Sequence, residues 1–389
     1  MDKYFKISFY ISLIFFGLGQ MGRVFIPAQP IYFYLYEIPF VISLFLLIIR
    51  YKFAPFDKNN KISTLTILFL GWLVISFIFP FAKYSLLENG IAFLYLLRLT
   101  SYLLFFIYFT HHFKEKNKQK ILQVPILIFS IWIIFSSFVQ YFLYPNIGNI
   151  AYLGWDPHLM RVVGVFLEPP LSVTIYFLIF IYFASLWFSQ KKWYQAVLSV
   201  AGVILLLLTY SRGGLIGFGP VLILLSLKTK KILIGILLIV SLLILIFSLS
   251  NSKVESLNLL RTTSISSRIE DYQEGFDIWQ KSPISGIGYN RIRFEKSKFV
   301  DMVFLEDYNP SHGITSFHSS FLTILVSTGV LGLLVYLTIL FQIARKNFYW
   351  MSIVLFLSIV SIFDNVLLHP FTLFLFPLFL VSYPVHKSA

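Results

Sequence analysis

The chain has 389 residues, 58% hydrophobic and 12% charged, with a net charge of +14 and no cysteine. A soluble domain carries about 25% charged residues, so a soluble enzyme with a simple anchor is excluded, as are disulfides and thiolate metal sites. The positive charge does not read as nucleic-acid binding, because the basic residues fall in short clusters between apolar runs and form no basic helix or groove motif.

The apolar runs are long enough to cross a bilayer, at about 20 residues each. They predict an all-α polytopic membrane protein of about twelve transmembrane helices. The expected spans, in chain order, are 6–25, 31–50, 62–82, 86–110, 121–143, 170–189, 193–209, 213–227, 231–249, 318–343, 347–364 and 367–385. The first run leads straight into further spans without a small-residue cleavage site, so no cleavable signal is expected. Lys and Arg alternate across the connections. One side receives 18 of the 31 basic residues, from Lys3 and Lys6 through Arg345 and Lys346 to Lys387. The short connections on the other side hold only Arg23, Lys83, Arg161 and Arg212. The positive-inside rule then puts both termini in the cytoplasm.

Two segments are large on the outer face, 144–168 and 250–317. The second holds 9 of the 17 acidic residues and divides one integral membrane domain into nine spans (1–249), an outer loop (250–317) and three spans (318–389). Long segments translocate regardless of charge, so its basic residues do not disturb the topology. Within it, Ile269, Tyr272, Phe276 and Trp279 recur at helical spacing. They predict a short amphipathic helix lying at the membrane surface. A turn is expected at Gly286-Ile287-Gly288-Tyr289-Asn290.

Candidate chemistry collects on the outer side. Arg212, in Tyr210-Ser211-Arg212-Gly213-Gly214, offers a donor fork that fits phosphate oxygens. Ser211, Gly213 and the helix start beyond them complete a possible diphosphate cradle. The other reading of Arg212 is an interfacial arginine reaching for water. Arg268 could add a second cation or pair with Asp271, and Arg161 is a third candidate of the same kind. Arg98 lies in the middle of the fourth span, where an arginine needs a partner or a polar cavity; Asp364, Glu168 or a ligand phosphate could serve. Asp364 is also a possible partner for the other arginines. His318 opens the pattern His318-Ser319-x9-Gly329-x-x-Gly332 at the start of the tenth span. A neutral imidazole there can take a proton at physiological pH, and the positive end of the helix dipole is expected to favour that neutral form. Gly329 and Gly332 are expected to let another helix pack closely and fix the direction of His318. No Asp-x-Asp, His-Glu-x-x-His, Walker or Gly-x-Ser-x-Gly motif is present, so no metal site and no cofactor is expected.

Taken together, the twelve spans, the large outer loop between the ninth and tenth, and three motifs in order resemble the O-antigen ligase/O-antigen polymerase superfamily of bacterial envelope glycosyltransferases. The motifs are Ser211-Arg212-Gly213-Gly214, Arg268 with Pro283-x-x-Gly286-x-Gly288, and His318-Ser319-x9-Gly329-x-x-Gly332, where many relatives read His-Asn. The resemblance implies a multi-pass protein of the bacterial inner membrane, with its loop and active site facing the periplasm. It implies transfer of a glycan from undecaprenyl pyrophosphate to an acceptor hydroxyl, which for a ligase is on lipid A–core. Arg212 and Arg268 would bind the pyrophosphate, and His318 would act as catalytic base or orient the acceptor. Ser319, Arg161, Arg98 and Asp364 join the expected substrate-binding set. The expected partners are this lipid-linked donor, lipid A–core or another glycan acceptor, and membrane lipids, with no nucleic acid. The complete histidine motif favours a ligase. A polysaccharide polymerase is the alternative within the superfamily, a protein-directed oligosaccharyltransferase a third option, and a lipid flippase or transporter the alternative of another class.

Overall fold

A bilayer offers the backbone no water, so apolar runs satisfy their own N–H and C=O groups as helices. The computed structural model describes residues 2–25, 31–57, 59–148, 158–229, 263–298 and 315–383. Among these, a helix is found in eleven of the twelve expected spans: α1 (Asp2–Phe16), α2 (Glu37–Tyr51), α3 (Lys61–Ile78), α4 (Leu86–His112), α6 (Gln123–Leu143), α7 (Pro169–Gln190), α8 (Trp193–Leu208), α9 (Arg212–Thr229), α12 (Ser320–Ala344), α13 (Phe348–Phe363) and α14 (Pro370–Ser382). Short helices α5 (Lys116–Ile121), α10 (Thr263–Gln280) and α11 (Ile292–Lys296) complete the set. The span expected at 231–249 lies outside the described residues, as does much of the outer loop. Among the described residues, five helices are long and apolar enough to cross a membrane: α3, α4, α6 with the end of α5, α7 and α12. Of the remaining helices, α8, α13 and α14 are shorter and apolar.

Burial separates the centre from the rim. The central α7 is 83% buried along its span, whereas α3, α4, α6 and α12 are 39–50% buried. Their outward faces carry Leu68, Leu97, Ile128 and Leu334, the apolar surface a bilayer would cover. The interior is packed with aromatic rings, such as Phe177 stacked on Phe356 at 3.7 Å.

Two elements depart from the expected spans. α1 stops at Phe16 and α2 begins only at Glu37. Between them β1 (Arg23–Phe25) and β2 (Tyr32–Tyr34) form an antiparallel ribbon, with Arg23 opposite Tyr34. Val24 and the aromatic run Tyr32-Phe33-Tyr34 favour a strand over a helix there. α10 occupies the expected amphipathic stretch. Asp271, Gly275 and Ile278 face inward, Ile269 and Phe276 of the apolar stripe are exposed, and Tyr272 and Trp279 are half-buried against the inner cluster. Gly275 sets the contact: a Cβ there would lie 2.7 Å from Leu322 Cδ2 on α12. Bringing the Asp271 carboxylate inward leaves Ile269 and Phe276 on the outside.

Gly329 is not a packing glycine in a continuous helix. Its backbone (φ 68°, ψ −174°) breaks α12. The carbonyls on the N-terminal side of the break are taken up from elsewhere: Val326 O accepts from Ile287 N at 3.0 Å, Ser327 O from Gly288 N at 2.9 Å, and Thr328 O from Trp72 Nε1 at 2.8 Å. Val330 N in turn donates to Pro283 O. The Pro283–Gly288 turn and the Gly329–Gly332 pair are thus one interlocked unit, and only Gly332, against Trp72 of α3, serves helix packing as expected. A Cβ at Gly329 would fall 2.0 Å from Ile284 O, in a backbone region that is essentially glycine-only and strained by about 1–3 kcal/mol for other residues. Gly329→Ala is expected to lower the unfolding temperature of the purified protein sharply, measured by scanning fluorimetry in detergent.

Candidate functional site

His318 is placed by the helix that follows it. Ser319 caps α12, its hydroxyl accepting from Leu322 N at 3.3 Å and donating to Ser361 O at 3.1 Å. Ser320 donates to Asn365 Oδ1 and accepts from Leu367 N, both at 3.0 Å. These bonds tie the start of α12 to the corner between α13 and α14, where Asp364 sits. His318 therefore lies one residue ahead of the cap rather than inside the first turn.

Its ring is held from α10. Nδ1 lies 3.1 Å from Asp271 Oδ2, and the His318 backbone N–H donates to the same oxygen at 2.6 Å. The other Asp271 oxygen accepts from Lys296 Nζ at 2.5 Å, and Lys296 also approaches Glu274 at 3.5 Å. Burial pushes the Asp271 carboxyl up, but the hydrogen bonds from His318 and Lys296 outweigh it and hold it below its ordinary value. The hydrogen bond to Asp271 raises the His318 pKa, against burial, which lowers it. The expected preference for neutral imidazole at the helix start is thus reversed: a carboxylate in contact outweighs the partial charge of a helix end. An ionised carboxylate only accepts, so in the neutral ring the proton sits on Nδ1 and leaves the Nε2 lone pair available. The side chain is 47% exposed and borders a cavity of about 740 Å³.

Asp364 lines the same cavity. Arg268 Nη2 reaches both its oxygens, at 3.2 and 3.4 Å, so the sequence alternative of an Arg268–Asp271 pair is replaced by Arg268–Asp364. Burial raises the Asp364 pKa, and Arg268, His318 and Arg161 offset this in part. Gly213 packs against the same acid, a Cβ there falling 3.5 Å from Asp364 Oδ2. Ser211 caps α9 through Gly214 N at 3.3 Å, which puts Arg212 at the first helical position, beside Gly213. His318, Asp364, Arg268 and the Ser211–Gly213 turn are thereby brought together from four parts of the chain. The cavity lining among the described residues includes His318 and Asp364 but neither Arg212 nor Arg268.

Two expected site residues have other partners. Arg161 is buried and donates to Thr209 O at 2.8 Å and Tyr210 O at 3.2 Å, closing the C-terminal end of α8. Arg98 does line the cavity, but its partner is Glu37 and not Asp364 or Glu168. Nε and Nη2 bind the two carboxylate oxygens at 2.7 and 2.9 Å, and Tyr102 OH and Tyr34 N complete the shell at 2.6 and 2.9 Å. Both side chains are largely enclosed, at 16% and 11% exposure, and breaking such a pair leaves an uncompensated charge that costs about 3–5 kcal/mol. Glu37→Ala is expected to lower thermal stability by about that amount. Adding Arg98→Met should recover part of it, read from the unfolding midpoints of the single and double variants.

The residues missed from sequence are Asp271 as the partner of His318, Lys296 behind it, and Glu37. Glu37 had a usable signal, since an acid at the edge of an apolar run next to an intramembrane arginine asks to be paired with it. Asp271 and Lys296 had none, because only the fold brings them to His318.

Residues 197–337 match the family described as O-antigen ligase. Over that segment the chain is similar to the O-antigen ligase/polymerase superfamily. The superfamily match runs from α8 through most of α12 and contains Arg212, Arg268, Asp271, Lys296, His318 and the Gly329 break. Arg98, Arg161 and Asp364 lie outside it. That similarity points to a ligase- or polymerase-type activity on glycan and lipid-linked substrates in general. No curated protein matches the chain.

Proposed function

We propose that the protein is an O-antigen ligase-like glycosyltransferase of the bacterial inner membrane, moving a glycan from undecaprenyl pyrophosphate to an acceptor hydroxyl on lipid A–core at the periplasmic face. The observation that carries this reading is the Asp271–His318 pair at the cavity edge, inside the matched segment and beside the Arg268–Asp364 and Arg212–Gly213 elements. In this scheme the donor diphosphate exchanges with Asp364 for Arg268 and is held also by Arg212. Nε2 of His318 takes the proton of the acceptor hydroxyl as its oxygen attacks the anomeric carbon. The new C–O bond forms as the bond to the diphosphate breaks, and the charge left on the lipid diphosphate is met by the two arginines. One displacement inverts the anomeric centre. No metal or nucleotide takes part in the scheme.

A polymerase would share this donor chemistry and differ in its acceptor, a second lipid-linked glycan. Purified protein given lipid-linked glycan with either lipid A–core or a second lipid-linked glycan separates the two. Extension of lipid A–core is expected. Extension of the lipid-linked glycan alone would reassign the protein as a polymerase, and movement of the donor across the bilayer without any transfer would make it a flippase.

A further inference from the structure

We propose that the tyrosine-lined part of the cavity, built around the Glu37–Arg98 pair, is the subsite for a sugar ring of the acceptor; this rests on the glycan-transfer reading above. Tyr32 on β2, Tyr95 on α4 and Tyr289 in the turn before α11 all line the cavity and are half-buried, so part of each faces its interior. Their rings alternate with cations. The guanidinium carbon of Arg23 lies 4.0 Å from the Tyr32 ring centre. That of Arg98 lies 5.4 Å from Tyr32 and 5.8 Å from Tyr95, and that of Arg293 lies 4.8 Å from Tyr95. Tyr32 and Tyr95 meet edge to face at 6.2 Å. Such contacts fix the ring planes, and the bidentate bond to Glu37 fixes Arg98 between them.

The carboxylate of Glu37 balances the charge of Arg98, so this wall is not a simple cation cradle. It combines aromatic surface with the tyrosine hydroxyls and with guanidinium N–H groups set between the rings. A sugar ring has the complementary form, with a C–H face and a rim of hydroxyls. The cavity, at about 740 Å³, lies within the roughly 300–1,000 Å³ range of small-molecule sites. The assignment to the acceptor follows from direction. In a single displacement the leaving diphosphate and the attacking hydroxyl lie on opposite sides of the anomeric carbon. Arg268 and the Ser211–Gly213 turn meet at Asp364, and neither Arg268 nor Arg212 is in the cavity lining among the described residues. The tyrosine wall comes from other elements, α4, β2 and the turn before α11, and is left to the group whose hydroxyl meets His318.

The test uses the full-length protein in detergent or vesicles. Tyr95→Leu and Tyr32→Leu are compared with Tyr95→Phe, which keeps the ring, and monodispersity and unfolding temperature show that each variant folds. With donor saturating, the leucine variants are expected to raise the acceptor KM roughly tenfold, the effect of losing one stacking contact. The donor KM should stay unchanged, and Tyr95→Phe should stay near wild type. An unchanged acceptor KM, or a rise confined to the donor KM, would overturn the assignment. A second arm needs no transfer. Saturation-transfer NMR with core oligosaccharide released by mild acid, and with simple methyl hexosides, should show ring protons contacting the wild-type protein, with the signal lost in Tyr95→Leu. Binding seen here without turnover would retain the sugar subsite and reject the transfer reading. Absence of binding in both proteins, in a preparation active in transfer, would reject the subsite alone.

Discussion

His318→Ala is expected to lower glycan transfer by about 10²–10⁴-fold, the usual contribution of a positioned general base, with the protein still folded and extracted normally. The side chain is exposed at the cavity edge and supports no buried core, so its removal leaves the cap at Ser319 and the bonds of Ser320 in place. The expected loss is in kcat, because the group acts on the proton that moves during attack. The measurement is single-turnover extension of the acceptor at saturating donor, with scanning fluorimetry as the folding control. Wild-type rates in a folded His318→Ala protein would remove His318 from the chemistry.

The second large effect concerns pH and comes from Asp271. His318 must be neutral to accept a proton, and its pKa is raised above 6.5, chiefly by the hydrogen bond to Asp271. The rate is therefore expected to fall as pH drops through that raised value. The sign for stability is the opposite. The stabilisation from the charged pair is fully present below pH 6.5 and is lost as pH rises through the folded-state pKa, so the enzyme works where this pair contributes less. Asp271→Asn removes the charge that raises the pKa, and the acidic limb of the kcat/KM profile should move to lower pH. The maximum rate should also fall, since an amide can donate to Nδ1 and favour the tautomer that lacks a free Nε2. A pH–rate profile of both proteins checks this, and an acidic limb at the same pH in each would break the link between Asp271 and His318.

Much of the architecture was legible because membrane helices are written in long apolar runs. The failures are local. The β1–β2 ribbon was hidden because Arg23–Phe25 and Tyr32–Tyr34 adjoin apolar runs and share their composition. α10 was legible from its apolar stripe, whereas the inward placement of Asp271, Gly275 and Ile278 was not. The Gly329 motif was read as helix packing, and only the fold shows that it opens α12 for the Pro283–Gly288 turn. At the site, single residues were legible and so was one pairing, Asp364 with an arginine, which is Arg268; the partners of His318 and Arg98 were not. The depth of Arg98 demanded a carboxylate without saying that Glu37 supplies it, and the 47 residues between Asp271 and His318 carry no spacing rule.

The central claim is a direct displacement on a lipid-linked glycan at the His318 cavity. Proton NMR of the glycan joined to acceptor by the purified, reconstituted protein tests it most directly. The account predicts a new linkage whose anomeric configuration is inverted relative to the donor; a retained configuration would contradict it.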